Sequence, residues 1–185
     1  MHHLIFVCRI GLATMFGIAA FAKLGSRGFR LFVASLRAFG VPGALATPPF
    51  GALLIVAELG AGAALVVAPA AGGALGAVLL AGFALGIAHV VRTGEPVGCR
   101  CFGAGGATLG RAHWIRDLVL AAVAGAIAIL EPSRSPGLAI RPDIVLATLV
   151  GLGAGVLVTR WDDLMFLFST ARLAPVRSAS RRSPP

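Results

Sequence analysis

Charge is what this sequence has least of. Only 12% of its 185 residues are Asp, Glu, Lys or Arg, 58% are hydrophobic, tyrosine is absent, and mean hydropathy is +0.93. A soluble domain carries about a quarter charged residues, so this chain has too few to coat a water-facing surface. Acidic residues are the scarcer sign, 7 against 16 basic, which leaves a net charge of +9. The basic residues sit in loops and the tail and do not form a patch interleaved with aromatics, which argues against a nucleic-acid partner. Their placement is that of a membrane orientation signal. With 3 cysteines the chain is no disulfide-dense scaffold, and Cys8 is left odd.

What is present in abundance is long apolar sequence, the mark of bilayer-spanning helices. The pattern predicts an all-α membrane protein with spans at Leu4–Ala22, about Phe50–Ala68, Ala74–Val91, Trp114–Leu130 and Ile144–Val158. The first could be read as a cleaved signal peptide, because Ala20-Phe21-Ala22 resembles a cleavage site. No basic residue precedes the run, however, and Arg9 interrupts it, so a retained helix is the better reading. Between the first two spans, Ser26–Gly40 places Phe29, Phe32, Leu36 and Phe39 at helical spacing with Arg30 and Arg37 off the stripe. This predicts a short amphipathic helix at the interface. Pro42, Pro48 and Pro49 end it and launch the next span, while Pro69, Gly72 and Gly73 are expected to form a tight turn. Gly82-x-x-x-Gly86 and Gly151-x-x-x-Gly155 are candidate close helix contacts. The tail Leu173–Pro185 has the composition of a disordered segment.

Ionisable residues inside spans are costly and need a partner or a function. Lys23 closes the first span, and at about 1.5 Å per residue Glu58 lies about 12 Å into the second from the same side. His89, His113, Arg116 and Asp117 gather towards that face, whereas Cys8 and Arg9 lie towards the other. Lys23 reads as a snorkelling anchor. Glu58 must be protonated, hydrogen-bonded or paired, with Lys23 or Arg116 as partner.

The polar break "GEPVGCRCFGAGG" (94–106) carries Cys99 and Cys101. A Cys-x-Cys disulfide closes a tight, strained ring, and strain raises the reduction potential, which suits an exchanging bond. Arg100, Arg92 and Arg111 favour the thiolate. Redox exchange is the first reading, two idle thiols the second, and a metal site built from the pair with His89 and His113 the third. Cys8, near the far end of its span, is a poor resolving partner, because a bridge needs Cα atoms within about 7 Å.

"CRCFG" (Cys99–Gly103) followed by "HWIRDLVL" (His113–Leu120) resembles the methylamine-utilisation MauE family, and "FAKL" and "AELGAG" resemble the wider DoxX-like superfamily. The resemblance covers about Leu4 to Leu130. It implies a four-helix DoxX/MauE-like transmembrane bundle over residues 1–131, to which this chain adds a fifth helix within 140–160 and a basic tail over 161–185. It also implies thiol redox chemistry at Cys99 and Cys101, with Lys23, Glu58, Arg116 and Asp117 as a supporting polar framework. The partner would be a thioredoxin-like protein or an exported disulfide-containing client, such as the methylamine dehydrogenase small subunit during maturation or export. A membrane quinone is a conceivable electron acceptor, although no sequence feature identifies a cofactor. Arg100 stands where the family often has glycine. A non-catalytic assembly factor and a small transporter with Glu58 and Lys23 on a polar path are the alternatives.

Five spans place Lys23, Arg27, Arg30, Arg37, Arg92, Arg100 and Arg111 on one side with the tail arginines, and only Arg134 and Arg141 in loops on the other. The positive-inside rule then makes the Cys-x-Cys side cytoplasmic in a multi-pass cell-membrane protein. An exported substrate favours the opposite side, so the two criteria conflict.

Overall fold

A computed structural model describes residues 2–93, 111–131 and 142–160. They form α1 (His2–Leu24), α2 (Ser26–Ala38), α3 (Pro48–Val67), α4 (Pro69–Thr93), α5 (Arg111–Leu130) and α6 (Pro142–Thr159). All but α2 are long and apolar enough to cross a membrane. Their outer faces remain apolar, with Phe21, Leu85 and Ile129 each more than two-thirds exposed. Helices that are hydrophobic all round belong in lipid. This is a multi-pass, all-α membrane protein.

Prolines set the starts. Pro48 and Pro49 occupy the first turn of α3, and Pro69 and Pro142 open α4 and α6; a first-turn proline loses no intrahelical bond, and its fixed φ suits the helix. The end of α2 is fixed by Gly40 at φ 80°. The Gly40 N–H donates to the Arg37 carbonyl and the Val41 N–H to the Leu36 carbonyl, both at 3.1 Å. These are the paired bonds of a Schellman motif, which needs a left-handed residue at this point.

α1 is the central element. It runs antiparallel to α3, which turns back into α4, and α4 into α5; α5 returns to α1 and closes a four-helix bundle. Phe16, Leu65, Leu80 and Ala124 lie at its core. α6 packs along the free flank of α1, running parallel to it. There a Cβ on Gly151 would meet Ile10 Cβ at 2.8 Å, and one on Gly155 would meet the Gly11 carbonyl oxygen at 2.5 Å. Small residues allow this backbone approach, because packing must hold helices together where lipid is as apolar as they are.

The turn expected at Pro69–Gly73 is shorter than the sequence suggested. Ala68 alone separates α3 from α4, and Gly72 and Gly73 are already helical. Their role is proximity: a Cβ on Gly72 would collide with the Leu65 backbone, and one on Gly73 would stand 2.6 Å from the Ala124 carbonyl oxygen of α5.

Candidate functional site

At the end of the bundle from which residues 94–110 leave α4 and rejoin α5, the polar side chains turn inward. Lys23, in the last turn of α1, donates from Nζ to both carboxylate oxygens of Glu58 in α3, at 2.6 and 2.8 Å. Each residue is 1% exposed. The ring of Phe32 from α2 lies 5.0 Å from Nζ and that of Phe83 from α4 lies 5.6 Å away. Aromatic faces attract a cation and exclude water from it. Lys23 is therefore not the snorkelling anchor that a lysine at a span's end suggests. α2 folds back tightly at Gly28, where a Cβ would sit 2.6 Å from the Ala22 carbonyl oxygen, and lays Phe32 over the ammonium. Of the two partners available to Glu58, the fold selects Lys23. A transport path past these side chains would require the pair to open.

Asp117 is fully buried and pairs with its neighbour Arg116, Nε to Oδ1 at 3.0 Å. α5 begins at Arg111 rather than Trp114, so this pair stands in its second turn. Gly76 faces Ala124 across the antiparallel α4–α5 contact. Advancing equally from these two places Asp117 at the depth of Phe83, and hence of the Lys23–Glu58 pair. Two buried carboxylates, each with its own cation, thus share one layer of the bundle. His89 is exposed, and its imidazole lies against Gly40, where an added Cβ would meet it at 3.2 Å. Cys99 and Cys101 lie outside the described residues.

The other end carries a clamp that sequence reasoning missed in part. Arg9 is buried and donates to Glu131 at 3.2 Å and to the Val66 carbonyl at 3.3 Å, tying α1 to the ends of α3 and α5. Glu131 had no assigned role. The signal was there, because an arginine within a span needs a counter-charge and Glu131 directly follows the fourth span. Replacing Arg9 with Met strands a mostly buried carboxylate, and we expect a loss of about 3 kcal/mol, read as a lower unfolding midpoint in detergent. Cys8 is a half-buried free thiol in the same region. It borders a cavity of about 180 Å³ between α1, α5 and α6, whose lining from Val7 to Val158 includes no charged side chain.

The family described as methylamine utilisation protein MauE matches residues 1–130. The chain belongs to that family. The MauE match ends where α5 ends, so it spans the four-helix bundle and α2 and leaves α6 as an addition. No curated protein and no solved structure matches the chain.

Proposed function

We propose that this MauE-family membrane protein works in thiol–disulfide exchange through Cys99 and Cys101. The observation that carries the reading is the buried layer of Lys23–Glu58 and Arg116–Asp117, held at the end of the bundle to which the Cys-x-Cys segment is tethered through α4 and α5. A charged layer at the end of the bundle where two helices lead into and out of the dithiol segment suits a site that must hold a thiolate and move protons. Cys99, as thiolate, attacks one sulfur of a partner disulfide, forming a mixed disulfide and releasing a partner thiolate. Cys101 then displaces the second partner sulfur. The partner gains two electrons and two protons, and Cys99 and Cys101 are left as a disulfide. A thioredoxin-like dithiol restores the pair by the reverse exchange. In this reading Arg116 and Asp117, which follow the segment in sequence, stabilise charge and relay the proton. In its specific form, the client is a disulfide-rich exported subunit of a methylamine-oxidising enzyme.

The test is differential alkylation and mass spectrometry in native membranes. Cys99 and Cys101 are expected to shift between dithiol and disulfide with ambient redox potential, and Cys101→Ser is expected to accumulate a mixed disulfide at Cys99. Cysteines that stay reduced under every condition, with full activity in the Cys99→Ser/Cys101→Ser variant, would overturn the reading. Labelling of Cys99 by an impermeant thiol reagent on intact cells would place the segment outside, against the charge distribution. The closed Lys23–Glu58 pair favours one second reading, a non-catalytic assembly factor in which the layer serves only as a rigid frame.

A further inference from the structure

We propose that the outer stripe of α2 is a binding surface for the phosphate headgroups of anionic phospholipids, a role independent of the thiol reading. One side of α2 is buried through Phe32, Ser35 and Leu36. Arg27, Arg30 and Arg37 are exposed and recur at helical spacing along another side. None of the three forms an ion pair within the described residues. Among the described residues, the carboxylates are committed elsewhere. Glu58 and Asp117 are buried with their own cations, Glu131 holds Arg9, and Asp143 faces His3 at the far end.

The stripe is also at the right depth for lipid. α2 follows α1 after Gly25 and leads through residues 39–47 to the start of α3; both of these are membrane spans, so α2 lies at a membrane boundary. Leu24 and Leu31, beside the arginines, are 54% and 42% exposed. An acidic protein surface would leave those leucines facing polar atoms, whereas a bilayer interface takes leucine below and guanidinium at the phosphate level. The planar guanidinium also matches a phosphate with paired hydrogen bonds. On the inner side of the same helix, Phe32 covers the Lys23 ammonium. Headgroups that hold α2 in place therefore hold the cover over the buried pair.

The experiment uses the full chain in phosphatidylcholine bilayers containing phosphatidylglycerol, followed by stepwise delipidation and mass spectrometry of the retained lipid. A basic residue at an anionic surface contributes about fivefold in affinity, so phosphatidylglycerol should be retained in preference by at least about tenfold. Arg27→Gln/Arg30→Gln/Arg37→Gln should abolish the preference. The corresponding triple Lys variant, which keeps the charge and controls for folding, should retain most of it. Arg134→Gln/Arg141→Gln, in the segment between α5 and α6, should leave it unchanged. Wild-type protein without a preference, or a triple Gln variant that keeps it, overturns the proposal. So does a triple Gln variant that keeps the lipid but loses cross-linking to an acidic protein, which would assign the stripe to protein docking.

Discussion

Replacing Lys23 with Met is expected to destabilise the bundle by about 3–5 kcal/mol, and adding Glu58→Leu to that variant is expected to restore most of the loss. The single change leaves a carboxylate that is 1% exposed without its cation, and an uncompensated buried charge is among the costliest lesions a fold can carry. The double change removes both charges and fills the space with apolar atoms between Phe32 and Phe83. Replacing a whole buried pair in this way is often neutral or even stabilising. Denaturant unfolding in detergent micelles gives the four free energies of the cycle, and the coupling should be at least about 3 kcal/mol, the top of the usual range for residues in contact. Simple additivity would show that the two charges do not depend on each other. The double variant also separates the two functional readings. If it is as stable as the wild type and still loses thiol exchange, the pair contributes chemistry and not only a frame; if exchange survives, the frame is its whole role.

The five spans were legible because lipid forces every crossing backbone to satisfy its own hydrogen bonds, so a long apolar run can only be a helix. The gathering of Lys23, Glu58, Arg116 and Asp117 at one end was legible for the same reason, since antiparallel spans convert sequence position into depth. Side-chain direction was not. Lys23 could reach out to the interface or into the bundle, and only the fold-back of α2 at Gly28 decides it. Glycine spacing likewise says nothing about which face is packed. Gly151-x-x-x-Gly155 lies against α1, whereas in Gly82-x-x-x-Gly86 only Gly86 has a close neighbour, Phe39. The Arg9–Glu131 clamp was half legible, because the cost of Arg9 was visible but the direction in which α5 presents its end was not.

Gly73→Ala should be strongly damaging although it alters no charge. A Cβ there would stand 2.6 Å from the Ala124 carbonyl oxygen and 2.7 Å from the Ala128 nitrogen. Both obstacles are backbone atoms of α5, so no rotamer change relieves them and the two helices must separate. Overpacking typically costs about 1–3 kcal/mol, and a rigid obstacle puts Gly73→Ala at the upper end, near 3 kcal/mol. The matched control is Gly82→Ala in the same helix, where nothing lies within 4 Å of the added carbon. That change should be neutral or stabilising by up to about 1 kcal/mol, because alanine loses less backbone entropy than glycine on entering a helix. The same chemical substitution thus changes sign within one helix according to what faces it. Thermal unfolding of the two variants in one detergent would show opposite shifts if Gly73 serves helix contact, and parallel shifts if only helix propensity is at work. The contrast matters beyond stability, because α4 and α5 are the two arms that carry the Cys-x-Cys segment. A wedge at Gly73 pries them apart at the opposite end of the bundle, so any change in thiol exchange by Gly73→Ala, at a temperature where it remains folded, would show that the segment depends on how those arms are held.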